Sequence, residues 1–178
     1  MKDKNDTKWE NVNYNLLEYF WANTFFSVKD EKNLPYFLNK IDIFKDFTEL
    51  EIFDLVQYMH IRHFSVGEEV VSENDSSMGF YLIISGEIEI NSPGFDDEQK
   101  ISLYPEMFFG EQNLLLDKRK SNLKIISKSN SILAAILTPD LDNLIDKKPR
   151  VAVKFIKTLS RLSLIKFEEI EKRIRKKS

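Results

Sequence analysis

All five glycines of the chain, Gly67, Gly79, Gly86, Gly94 and Gly110, fall between positions 67 and 110 of 178. Strands that reverse direction need turn residues, whereas helices exclude them, so this window reads as β structure and its flanks as helical. Within it, "FYLIISGEIEI" (80–90) alternates after Gly86, with Ile88 and Ile90 on one face and Glu87 and Glu89 on the other. That is either a half-buried strand pair or one strand bent at the glycine. "IRHFSVGEEVV" (61–71) before it and "ILAAIL" (132–137) after it are further short strands, and "NSPGFDD" (91–97) is a polar hairpin loop. Short strands at close spacing predict a sandwich or barrel.

The flanks carry helix signals. "FTELEIFDLVQYM" (47–59) opens on Thr48 with Glu51 three residues on, a capping box ahead of Ile52, Leu55 and Met59 at helical spacing. Thr138 reads as an N-cap with Pro139 at the first helical position, and Pro149 starts a helix through Ala152, Phe155, Ile156, Leu159 and Leu162. Further along, the apolar stripe moves to Phe167, Ile170 and Ile174, the spacing of a short coiled-coil seam, which predicts a homodimer through this helix, the alternative being that the stripe folds back onto the aromatic residues of the N-terminal arm. Residues 9–26 hold Trp9 and Trp21 together with Tyr14, Tyr19, Phe20, Phe25 and Phe26. A helix there is apolar over much of its circumference and must pack on its own domain or on an unidentified protein partner.

Several function classes drop out. The net charge of −3 does not suit a chain that binds nucleic acid as a whole, and the basic end "KRIRKKS" (172–178) reads as a complement to a helix C-terminus. There is no cysteine, and His60 and His63 lie three apart on a strand, facing opposite sides, so no metal site is assigned. Asp96, Asp97 and Glu98 read as a solvated hairpin tip, and nothing forms a nucleophile–base pair or a Walker loop, so no catalytic residue is assigned and no enzyme is expected. No apolar run reaches the roughly 18–20 residues of a membrane span, and "MKDKNDTKWE" lacks the apolar core of a signal peptide. A cytoplasmic protein without a bound cofactor is the expectation.

The stretch "LYPEMFFGEQNLLLDKRKSN" (103–122) carries the chemistry. A Gly-Glu step between a strand and a short helix leaves backbone N–H groups pointing outward to attract an anion, and the neighbouring carboxylate can accept hydrogen bonds from sugar hydroxyls. A following arginine supplies a bidentate clamp for phosphate. With "LNKIDIFKDFTELEIFDL", "FSVGEEVVSENDSSMGFYLIISGEIEI" and "LTPDLDNLIDKKPRVAVKFIKTLSRL" in the same order, the chain from about Leu38 to Arg161 resembles the cyclic nucleotide-binding domain, the module of the catabolite activator protein and of protein kinase A regulatory subunits.

The resemblance implies a mostly β fold with flanking helices: a cupin-type jelly-roll barrel of eight strands, with N-terminal helices and C-terminal lid helices. It divides the chain into an aromatic arm (1–36), the domain (37–162) and the basic end of the last helix (163–178). Gly110 and Glu111 match the pair that contacts phosphate and ribose. Gln112 and Asn113 stand where an apolar residue and alanine are usual; these positions act mainly through backbone N–H, and the added bulk of the two side chains could fill the phosphate pocket. Leu114 and Leu115 match packing leucines. The usual spacing puts Lys120 on the phosphate with Asn122 at the small position; a loop one residue shorter puts Arg119 there with Ser121. Strand parity, with Leu123 and Ile125 inward and Lys124 outward, favours Arg119. Asn74 and Glu106 replace usual glycines, and Glu106 is strained if its turn takes positive φ.

The ligand so implied is cAMP or cGMP, with occupancy transmitted to the C-terminal helix of a regulatory module. The alternative is a degenerate copy that binds no nucleotide and serves as a protein-interaction domain. Only one helix follows Leu162, too little for a helix-turn-helix, so no DNA partner is expected.

Overall fold

Two antiparallel sheets of four strands form the body of the molecule, in a computed structural model that describes residues 34–72, 79–91, 100–116 and 123–177, the side chains of 169, 170, 173, 174, 176 and 177 excepted. The strands are β1 (His60–Phe64), β2 (Glu69–Val71), β3 (Gly79–Ser85), β4 (Ile88–Asn91), β5 (Ile101–Leu103), β6 (Phe108–Phe109), β7 (Lys124–Ser127) and β8 (Ser131–Leu137). One sheet runs β1-β8-β3-β6 and the other β2-β7-β4-β5. The helices are α1 (Leu34–Lys40), α2 (Glu49–Val56), α3 (Glu111–Leu115), α4 (Thr138–Lys147) and α5 (Pro149–Lys177), with a 3₁₀ turn at Asp42–Phe44. This is the eight-stranded jelly roll with helices before and after it. The stretch 80–90 resolves into two strands that part at Gly86 and enter different sheets. Residues 1–33 of the aromatic arm, Asn74, the 92–99 loop and Arg119, Lys120 and Ser121 lie outside the described residues.

The central pair of the first sheet explains why "GFYLIIS" and "ILAAIL" are apolar without alternation. Phe80, Leu82 and Ile84 of β3, with Ala134 and Ile136 of β8, face the helices; Tyr81, Ile83, Leu133 and Ala135 face the other sheet. A strand covered on both faces needs apolar side chains at both parities. Elsewhere β7 alternates, with Lys124 exposed and paired to Glu69, and Ile125 buried, which is the parity read for 123–125.

Two helix boundaries differ from expectation. Thr48 and Glu51 form the capping box, yet α2 stops at Val56. Tyr58 N–H and Met59 N–H donate to Leu55 and Val56, tight i−3 bonds that turn the chain into β1. Met59 is buried, but beyond the helix. Thr138 is the first residue of α4 rather than its N-cap, because the Asp140 carboxylate accepts from Leu137 N–H at 2.9 Å and closes the turn one residue earlier.

Helix α5 lies across the sheet, with Ala152, Phe155 and Leu159 buried; Phe155 meets Phe80 edge-on, 5.5 Å between ring centres. Ion pairs fasten α5 and the residue before it to α2 and the turn ahead of it: Lys148–Asp54 at 2.8 Å, Lys154–Glu51 at 2.5 Å and Arg161–Asp46 at 3.3 Å. Beyond the core, Leu164 and Phe167 are exposed at 64% and 63%, as they must be on a helix end that leaves the body of its own domain.

Lys154, and after it the Thr48 N–H, hold the Glu51 carboxyl below its ordinary 4.5. A depressed folded-state pKa means that the carboxylate stabilises the fold above the unfolded value and stops doing so as pH falls through the folded one. Wild type should therefore lose stability in urea titrations as pH drops below about 4.5. Lys154→Met should lose less over that interval, since its main cause is gone. Equal acid losses in both proteins would contradict the assignment.

Candidate functional site

The Gly-Glu turn sits where β6 ends. Tyr81 of β3 pairs in register with Phe109, and the two rings stack with centres 5.0 Å apart and planes 10° from parallel. The stack fixes the strand end just before Gly110, whose φ of +82° turns the chain into α3. Leu114 N–H and Leu116 N–H donate to Gly110 and Gln112, so the N–H groups of Glu111, Gln112 and Asn113 open the helix with no carbonyl one turn back.

Gly110 is also a packing requirement. A Cβ there would lie 2.1 Å from the carbonyl oxygen of Gly79, inside any permitted contact. Beside this crossing is a cavity of about 40 Å³ between the sheets, lined by Tyr81, Phe109, Gly110, Asn113, Leu123 and Ile125, with Val71, Gly79 and Ile90. It has room for only a few waters. Pockets for drug-sized ligands start at roughly 300 Å³.

The predicted residues divide sharply. Gly110 and Asn113 line the cavity. Gln112 is exposed. Glu111 is 4% exposed and is absent from the cavity lining; its Oε1 accepts from Lys166 Nζ of α5 at 2.8 Å. The same ammonium lies 4.0 Å above the ring centre of Phe108. Leu114 is buried and Leu115 packs on the core. Glu106 takes φ +70°, the one non-glycine positive φ among the described residues, and is exposed in its turn. His60 Nε2 lies 3.0 Å from Asp140 Oδ1, and among the described residues no three His, Cys, Asp or Glu side chains gather as a metal set would. No helix among them is long and apolar enough to cross a membrane.

Lys166 is the site residue that pattern reading missed, although a signal exists. The core-facing stripe Ala152, Phe155, Leu159, Leu162 steps by three and four, and its next position is Lys166. A lysine on a core-facing stripe calls for an acidic partner inside the fold.

A family model described as cyclic nucleotide-binding domain matches residues 61–148. The cAMP-dependent protein kinase regulatory subunit of Dictyostelium discoideum is 26% identical over 100 residues, 53% of this chain and 31% of that protein, so the chain spans under a third of that relative. Among solved structures, a cyclic nucleotide-binding domain from Methylobacillus flagellatus superposes with a TM-score of 0.68 at 21% identity, covering 84% of this chain and 85% of that one. The catabolite activator protein of Thermus thermophilus gives 0.62 at 22% identity, over 75% and 61% of the two chains. At such identities these likenesses establish the fold.

Proposed function

The chain belongs to the cyclic nucleotide-binding domain family, and on that premise we propose that it is a regulatory module that binds cAMP or cGMP at the Gly110–Glu111 turn and passes occupancy to α5. The observation that carries this reading is the turn itself: a left-handed glycine at a strand end, opening a helix whose first N–H groups have no hydrogen-bond partner among the described residues, beside the inter-sheet cavity. Similarity to a cAMP-dependent kinase subunit supports a signalling role. In this reading the N–H groups of Glu111, Gln112 and Asn113 and the Arg119 guanidinium share the phosphate, with Lys120 as the alternative cation and Ser121 beside it, and Glu111 takes a ribose hydroxyl.

A charged hydrogen bond contributes roughly 1.5–3 kcal/mol, so Arg119→Ala should weaken binding of cAMP or cGMP by about one to two orders of magnitude in calorimetric titrations. A variant that binds as tightly as wild type moves the phosphate role off Arg119, and Lys120→Ala then tests the other register. The second reading, a copy that binds no nucleotide and docks a protein, is favoured by the small size of the cavity, about 40 Å³, which Asn113 lines where a smaller residue is usual. It wins if wild type gives no heat with either nucleotide at about millimolar concentration, where binding free energy is only about 4 kcal/mol.

A further inference from the structure

We propose that Lys166 is an internal competitor for the Glu111 carboxylate, a latch that holds the distal half of α5 onto α3 and keeps Glu111 turned away from the cavity until a ligand hydroxyl replaces it. The proposal rests on the reading that a nucleotide sugar goes to Glu111.

The geometry places one ammonium on both flanks of Gly110. Lys166 Nζ donates to Glu111 Oε1 at 2.8 Å and lies 4.0 Å over Phe108, so it bridges the last strand residues and the first helical residue of the turn. Its carboxylate partner is almost fully enclosed, at 5% side-chain exposure, while the lysine is 43% exposed. An enclosed carboxylate without a donor is strongly unfavourable, so Glu111 keeps a partner in every state of the molecule. In the described state that partner belongs to α5. Cavity lining by Gly110 and Asn113, but not by Glu111, means that the carboxylate must turn to reach a ligand there. A sugar hydroxyl can take over as donor, and the lysine, already half in water, loses little by leaving.

Position along α5 gives the exchange a mechanical consequence. Phe155 and Leu159 bury the proximal half, and Leu162 packs only in part. Leu164, Ile165 and Phe167 are exposed around Lys166, so the apolar grip of the core has faded where the latch closes. Releasing Lys166 removes a contact from the part of the helix least held by packing. Ligand and latch then oppose each other: whatever affinity the nucleotide loses to Lys166, the distal helix gains in freedom on binding.

The test compares wild type, Lys166→Met and Lys166→Arg as full chains. Methionine retains a long apolar side chain over Phe108 without the charge, and arginine restores a donor. Amide exchange of residues 160–177 without nucleotide reads the latch alone, and calorimetry with cAMP and cGMP reads the competition. Expected are faster exchange in the distal helix of Lys166→Met, binding about tenfold tighter than wild type, and a return toward wild type in Lys166→Arg on both counts. Unchanged exchange in Lys166→Met overturns the latch, whatever the nucleotide does. Unchanged or weaker nucleotide binding in Lys166→Met, with wild type binding, overturns the competition. Faster exchange with no nucleotide bound by any of the three proteins upholds the latch and removes the nucleotide reading instead.

Discussion

Phe155→Ala should cost the domain about 3–5 kcal/mol, the usual range for deleting a fully buried phenyl ring. Phe155 has no exposed surface, packs edge-on against Phe80 of the central strand, and sits where α5 crosses the sheet. Its neighbours are held from several directions, Phe80 by Phe108 as well and the sheet by the β3–β8 ladder, so little collapse into the vacated space is available. Against a typical domain stability of about 5–15 kcal/mol, the urea midpoint should fall steeply with the slope unchanged. A loss near 1 kcal/mol would mean that α5 docks through other residues than this ring. Because the same helix carries Lys166, the variant should also loosen the distal segment.

Gly110→Ala should be almost as severe, and for reasons unrelated to any ligand. The left-handed φ of +82° costs an L side chain roughly 1–2 kcal/mol. The new methyl also meets the Gly79 oxygen at 2.1 Å, and relieving it requires a backbone shift of the kind that costs about 1–3 kcal/mol in packed cores. Gly67→Ala is the control. Gly67 has φ +81° but open space around it, so only the conformational part applies. Denaturation should place Gly110→Ala well below Gly67→Ala, and equal losses would show that the chain at the turn shifts freely. The glycine most suggestive of ligand binding is thus demanded by the fold as well, and its presence alone does not decide between a working site and a degenerate one.

Local signals were legible wherever the interaction lies within a few residues. The Thr48–Glu51 box and the parity of Leu123, Lys124 and Ile125 each depend on neighbours in the chain and stand as read, and of the two readings at Gly86 the structure has the pair of strands. Resemblance supplied the jelly roll, because the pairing of β3 with β8, some fifty residues apart, leaves no periodic trace in either strand. The short α2 and the Asp140 cap were missed since the deciding bonds are single contacts that compete with equally good patterns. At the site, position along the chain could identify Gly110, Glu111 and Asn113, but not the direction of a side chain. Gly110 and Asn113 line the cavity while Glu111 points to α5, because a lysine 55 residues away is available to it. An ion pair at that separation could be found only by following the core-facing stripe of α5 to the one position where it turns charged.

The most direct test of nucleotide binding at this turn is an amide NMR titration of the ¹⁵N-labelled chain with cAMP and with cGMP. The N–H groups of Gly110, Glu111, Gln112 and Asn113 should move together and saturate with one of the two below about millimolar concentration, as donors to a bound phosphate must. Signals of these four residues that stay fixed at several-fold higher concentration, or shifts confined to other parts of the chain, would contradict it.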